Sequence, residues 1–392
     1  MRERNGIANA FISRGEAFLI IFLYGLYHAV CKNVQWQHFL QFRLFYNAFA
    51  LRPALTSLDP TSPLLHNNYM KSKGFHPTEI IFSTTTACNL HCEHCFINRT
   101  PRRLEIADAV RLIESCVESG GQPGPDGTPL PLIDRIGFSG GEPFLYIDFL
   151  IEVTKAAISN DLMFDQIMTN GDWWRDEAEL CEKLQTLYDA GYDGKIGLSW
   201  DSYHGQTDDR METFISTVLE IFGEDSINIQ RVEDVGEDSP SLQPASGLPL
   251  PPLTGGSAPR NAPCFSENIP VYTLPRTYPN DDPRAWQSRR WFREDYCQGP
   301  GNILYVHADG NIAPCCGFAN ENPALFIGTI HDSFEEIMQK ATSNPMIKIC
   351  YEEGLSHYRR HGLKKCLRSQ KKKLPGTTGD ICTLCDFVCK LK

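Results

Sequence analysis

The chain has 392 residues, 42% hydrophobic, 11% aromatic and 22% charged, and 37 basic against 48 acidic residues leave a net charge of −11. That composition excludes a disordered polymer, and the acidic balance excludes an overall basic nucleic-acid footprint. Fifteen cysteines stand out, an odd number in a chain too long to be a small disulfide scaffold, so clustered ones point to metal or redox chemistry.

The length allows one large domain of α/β-barrel size with additions, or two to three smaller domains. Residues 1–75 read as an aromatic-rich helical region. Its longest apolar run, AFLIIFLYGLYHAVC over residues 17–31, is short for a bilayer span of about 20 residues. It carries His28 and lacks a small-x-small cleavage site, so it reads as a buried or interfacial helix. Membrane contact is not expected, and the cytoplasm is the expected compartment.

From residue 76 the pattern is that of alternating strands and helices. EIIFST (79–84), RIGFS (135–139), LMFDQIM (162–168), KIGLSW (195–200) and SINIQRV (226–232) read as strands. The spacing predicts helices between them, with apolar stripes at Ile106, Val110, Ile113 and Val117, at Leu180, Leu184 and Leu187, and at Phe214, Val218 and Ile221. Such a repeat of βα units builds a parallel sheet, and a partial (β/α)6 barrel over 76–233 suits the length. Residues 234–296 read as a Pro/Gly-rich linker followed by a last barrel strand, IPVYTL (269–274). A cysteine-rich extension is expected over 297–392, where ILYVHADGNIAPCC reads as a hairpin around an Asp-Gly turn.

The motif with the strongest chemistry is Cys88-Asn-Leu-His-Cys92-Glu-His-Cys95, placed directly after the first strand. Three thiolates on one loop suit three irons of a [4Fe–4S] cube and leave the fourth iron open. Zinc held by three cysteines and His91 or His94 is the competing reading. The second strand ends in Gly140-Gly141-Glu142-Pro143, where paired glycines admit close backbone approach and the carboxylate could meet an ammonium group. Thr169-Asn170-Gly171 follows the third strand, and Ser199 with Asp201 follows the fourth. In a βα barrel these ends face one mouth. In the extension, Cys297 and Cys315 frame a C-x12-G-x4-C segment, and Cys382 and Cys385 a C-x2-C. Together they make four thiols for a complete cluster or a zinc site. Cys316 and Cys389 are spare or alternative ligands. Cys31, Cys116, Cys181, Cys264, Cys350 and Cys366 lack ligand spacing, and Cys116 and Cys181 read as core residues of helices.

These motifs resemble those of the radical S-adenosylmethionine (SAM) enzymes over roughly residues 76–233, with an extension similar to a SPASM or twitch domain. The resemblance implies that Cys88, Cys92 and Cys95 ligate a [4Fe–4S] cluster whose open iron is chelated by SAM. It places His94 near the adenine, Gly140, Gly141, Glu142 and Pro143 along the methionyl group, and Ser199, Asn170 and Asp201 in segments that line SAM. Arg210 or Arg231 would meet the SAM carboxylate. It further implies one auxiliary iron–sulfur cluster on Cys297, Cys315, Cys382 and Cys385, and an electron donor such as flavodoxin or ferredoxin. The implied activity is reductive cleavage of SAM to a 5′-deoxyadenosyl radical that abstracts a hydrogen atom, from a peptide or protein or, as a dehydrogenase, from a small molecule. A non-catalytic zinc scaffold is the alternative of another class. Eight Lys/Arg and no acid over 359–373 read first as a solvated helix face, with a docking face for an acidic partner as the functional alternative.

Overall fold

The computed structural model describes residues 74–98, 100–124, 127–233, 269–292, 296–297 and 301–392. The helical region expected over 1–75, all but its last two residues, and the Pro/Gly-rich linker lie outside the described residues, as do Cys31 and Cys264.

Six strands run parallel in sequence order: β1 (Glu79–Ser83), β2 (Arg135–Ser139), β3 (Met163–Thr169), β4 (Lys195–Ser199), β5 (Ile227–Glu233) and β6 (Val271–Pro275). Helices α1 (Ile106–Ser119), α2 (Ile147–Ser159), α3 (Glu177–Asp189) and α4 (Asp208–Phe222) fill the first four crossovers. The sheet does not close. Its order is β6-β5-β4-β3-β2-β1-β7-β8-β9, an open arrangement consistent with a partial barrel.

Alternation along the strands decides which face is packed. Ile80 and Phe82 of β1, Ile136 and Phe138 of β2, and Ile196 and Leu198 of β4 are fully buried or nearly so. Leu180, Leu184 and Leu187 of α3 are completely buried, as the stripe predicts. Burying each such side chain contributes about 1.5–3 kcal/mol. On α1, Ile113 of the expected stripe is fully buried, Ile106 and Val110 pack partly buried against the core, and Ala109, Leu112 and Cys116 complete the buried face. Val117 is 37% exposed.

The extension grows out of the same sheet. β7 (Gly301–Val306) pairs parallel to β1, with Ile80 opposite Leu304 and Phe82 opposite Val306. It turns through Asp309-Gly310, where Gly310 takes φ +85°, into antiparallel β8 (Asn311–Cys315). The boundary expected at residue 297 therefore produces no break in the sheet. After β9 (Gly328–Thr329) come α5 (Phe334–Ser343), a turn of π-helix at Lys348–Glu353, α6 (Leu355–His361), α7 (Leu363–Ser369) and α8 (Ile381–Cys389). No helix among the described residues is long and apolar enough to cross a membrane.

Candidate functional site

β1 delivers the three-cysteine loop to the C-terminal edge of the sheet, and the loop is strapped on three sides. Thr86 N donates to Arg102 O (3.0 Å) and Thr86 Oγ1 to Thr100 O (2.6 Å). Asn89 Nδ2 donates to Asp172 O (2.9 Å), beyond the end of β3. Glu93, between Cys92 and His94, is paired at 2.9 Å with Arg276, just after β6. Cys88 and Cys92 are half-buried and Cys95 is exposed. Cys88 Sγ accepts from Leu90 N (3.4 Å) and from Asn170 Nδ2 (3.6 Å), and burial pushes its thiol above the ordinary range.

The glycines of GGEP serve the cluster loop itself. A Cβ on Gly140 would stand 2.6 Å from Thr85 O, and one on Gly141 only 2.2 Å from Ala87 O. Their absence lets Gly141 N and Glu142 N donate to those carbonyls at 2.7 and 2.8 Å. The close approach is thus to the chain's own backbone.

The Glu142 side chain is fully buried and has three protein donors: Phe144 N (3.1 Å), Thr169 Oγ1 (2.8 Å) and Asn170 N (2.8 Å). Burial, partly offset by those bonds, pushes its carboxyl up to about 7. It staples the end of β2 to the end of β3 rather than standing open toward a ligand. Pro143 begins the 3₁₀ turn that Glu142 caps.

Asn170 connects three parts of the site: its side chain reaches Cys88 and Asn89, and its carbonyl accepts from Gln206 Nε2. The same amide group donates to Ser199 O. Asp201 has both oxygens occupied. Oδ1 accepts from Tyr203 N (2.9 Å) and pairs with His204 Nδ1 (2.7 Å), while Oδ2 accepts from Val232 N (3.1 Å). Against the lowering effect of burial, Asp201 and Cys92 push the His204 imidazole up to about 9. His94 meets Tyr203 and His204 edge-on, at centroid separations of 5.2 and 5.0 Å, and its Nδ1 is buried without a partner. Arg210 is engaged by Asp172 and Trp174 O and lies over the Trp174 ring at 3.6 Å. Arg231 Nε, by contrast, is buried without a partner. His204 and Gln206 were not singled out from the sequence, and only their short spacing after Asp201 could have drawn attention to them.

In the extension, Cys297, Cys315, Cys382 and Cys385 lie within electrostatic reach of one another in every pairing. Burial pushes Cys297 up to about 12 and raises Cys315 and Cys382 well above their ordinary range. Cys350, which has no ligand spacing, stands 3.7 Å from Cys385, sulfur to sulfur. Cys350 at this distance, together with Cys389, holds the Cys385 thiol below its ordinary range. Gly301 makes room here, since a Cβ would meet Tyr351 Oη at 2.6 Å and Cys297 Sγ at 3.0 Å. Cys316 is exposed, Cys116 is buried as expected, and Cys181, expected in the core, is exposed on α3.

Sulfur spacing tests what these thiols could hold. Tetrahedral zinc with four thiolates sets its sulfurs about 3.8 Å apart, given bonds of about 2.3 Å. Among the described residues, the one set of three ligand-type atoms all within 4.8 Å of one another is His94, Asp201 and His204. Neither cysteine group shows the compact spacing of a single ion, whereas a cluster with one iron per thiolate takes a wider set.

An open parallel sheet whose strand ends gather a three-cysteine loop, GGEP and TNG is consistent with the radical SAM core that the motifs resemble. The chain resembles that superfamily, with a SPASM/twitch-like extension, in its fold and in the placement of its motifs. No protein-family model matches the chain. It is 23% identical over 318 residues to a putative peptide biosynthesis protein of Bacillus subtilis (strain 168), YydG, across 76% of this chain and 88% of that protein. Among solved structures, Streptococcus suis SuiB bound to precursor peptide SuiA matches with a TM-score of 0.37 and 14% identity, covering 79% of this chain and 76% of that one. PhdJ bound to a substrate intermediate matches with a TM-score of 0.23 and 13% identity, over 41% and 45% of the two chains.

Proposed function

We propose that the protein is a radical SAM enzyme that modifies a peptide or protein substrate. Cys88, Cys92 and Cys95 would hold the [4Fe–4S] cluster, and SAM would lie along the strand ends from Gly140 to Ser199. Bound there, SAM and a reduced cluster supply one-electron cleavage of SAM and hydrogen-atom abstraction from an unactivated C–H. The observation that carries the reading is the bond network from Asn170 to Cys88, Asn89 and Gln206, which ties the cysteine loop to the ends of β3 and β4.

The protein's own residues position and shield. Asn170 orients the Cys88 thiol, Arg276 holds the loop through Glu93, and Glu142 keeps the ends of β2 and β3 at a fixed separation. Of the two arginines, Arg231 retains a buried unpartnered N–H for the SAM carboxylate. One auxiliary iron–sulfur cluster would use thiols of the Cys297, Cys315, Cys382 and Cys385 group. The peptide substrate is supported by the likeness to a putative peptide biosynthesis protein along most of both chains. Flavodoxin or ferredoxin in the cytoplasm would supply the electron.

The test is anaerobic reconstitution with iron and sulfide, then SAM and dithionite, with 5′-deoxyadenosine as the readout and Cys95→Ala as the control. Product from the parent protein and none from the variant is the expected result. A protein that takes up only zinc would overturn the reading in favour of a scaffold.

A further inference from the structure

The proposed function uses the four spaced cysteines of the extension and leaves Cys350 without a part. Cys350 is buried in the π-helical turn Lys348–Glu353, between the buried Ile349 and Tyr351. Two bonds fix that turn beside the other thiols. Cys297 N donates to Cys350 O at 3.1 Å, and Tyr351 Oη donates to Pro314 O, next to Cys315, at 3.0 Å. The Cys350 sulfur then stands 3.7 Å from the sulfur of Cys385 on α8, within hydrogen-bond reach for two sulfurs. Thiolates of a cluster with one iron per thiolate stand wider apart, so at this spacing one of the pair binds iron and the other does not. Cys385 is the one with ligand spacing, three residues after Cys382. An iron-bound thiolate has no proton and can only accept, which leaves the Cys350 S–H as the donor.

We propose that the Cys350 thiol keeps its proton and donates a hydrogen bond to the Cys385 sulfur, and that this bond raises the reduction potential of the auxiliary iron–sulfur cluster. The proposal rests on the auxiliary-cluster reading made above. A hydrogen bond to a ligand sulfur draws electron density from the thiolate. The reduced cluster carries one more negative charge than the oxidised one, so it gains more from the bond and the potential rises. Burial of both sulfurs strengthens the effect, because the local dielectric is low. Cys350 touches a ligand rather than the irons, so it is a positioning residue, as outer partners are at metal sites. Its place in the chain gives no ligand spacing, and the π-helical turn is what carries it to Cys385.

The test is an EPR-monitored redox titration of the reconstituted full chain carrying Cys88→Ala, Cys92→Ala and Cys95→Ala together, so that any cluster signal belongs to the extension. Adding Cys350→Ala, at equal iron content, is expected to lower the reduced-to-oxidised ratio about fivefold at the original midpoint, a shift of about 40 mV for one electron. Cys350→Ser keeps a donor at the same place and should recover most of that loss. Reconstitution in D2O should give an exchangeable deuteron coupled to the reduced cluster, seen by electron–nuclear double resonance and missing from Cys350→Ala. An unchanged midpoint in Cys350→Ala overturns the hydrogen bond while leaving the auxiliary cluster in place. Loss of the cluster from Cys350→Ala and Cys350→Ser alike also overturns it, because Cys350 would then be a ligand. No cluster signal before Cys350 is changed removes the auxiliary-cluster reading and the proposal with it.

Discussion

Glu142 shows how a single buried group turns geometry into a pH response. Its carboxyl sits at about 7 in the fold against an ordinary 4.5. The folded state therefore holds the proton more tightly than the unfolded chain. That contribution is fully present below pH 4.5 and is lost as pH rises through 7. The loss amounts to about 3 kcal/mol at most. Urea unfolding should find the protein less stable at pH 7.5 than at pH 5 through this group, and Glu142→Gln should flatten that slope. Asn170 works on the cysteine loop. Asn170→Ala removes the N–H that reaches Cys88 and the bond to Asn89, and second-shell losses of this kind weaken metal retention by about 10–100-fold. The rate of iron loss to a chelator should rise accordingly, with little change in far-UV circular dichroism. Cys88, Cys92, Cys95 and GGEP stand out in the sequence because cluster and turn chemistry demand fixed residue types at short spacing, and the cluster the cysteines would hold is a proposal. The roles of His204 and Gln206 do not, because only the fold brings them to Asp201, Asn170 O and Ser199 O.

At the scale of elements, strands were the most legible feature. RIGFS is β2 residue for residue, and the hairpin around Asp309-Gly310 forms as β7 and β8. Two-residue alternation and turn chemistry are local signals, so they survive without tertiary context. Cys350 was illegible for the opposite reason. It reaches Cys385 by way of a π-helical turn, and π-turns have no spacing signature in sequence while often marking functional positions. Tyr351, beside Cys350 in that turn, donates from its hydroxyl to Pro314 O on β8 at 3.0 Å. This bond registers the turn against the strand that ends in Cys315. Tyr351→Phe leaves a buried carbonyl without its donor and should cost about 1–3 kcal/mol in chemical denaturation. It should also broaden the signal of any cluster held by the neighbouring thiols.

The whole molecule is acidic, with a net charge of −11, yet α6, α7 and the residues after them carry eight Lys/Arg over 359–373. Lys371, Lys372 and Lys373 are exposed. An acidic electron donor would be steered to that face at low ionic strength. Reversing the three lysines to glutamate should slow turnover driven by flavodoxin and leave turnover driven by dithionite unchanged. Equal slowing with both reductants would count against the docking face. The strand order has a further consequence, for the chain as it is made. β1 is flanked by β2 and by β7, and Ile80 pairs with a leucine about 220 residues further on. Until that residue leaves the ribosome, the strand that carries the cysteine loop has one bare edge rich in isoleucine and phenylalanine, a template for unwanted pairing. A nascent chain stopped before residue 297 should therefore aggregate or bind chaperones, and one extended past β8 should resist protease. A strand synthesised about 220 residues later would complete the pairing of β1, which makes co-translational assembly of the cysteine loop wait for β7.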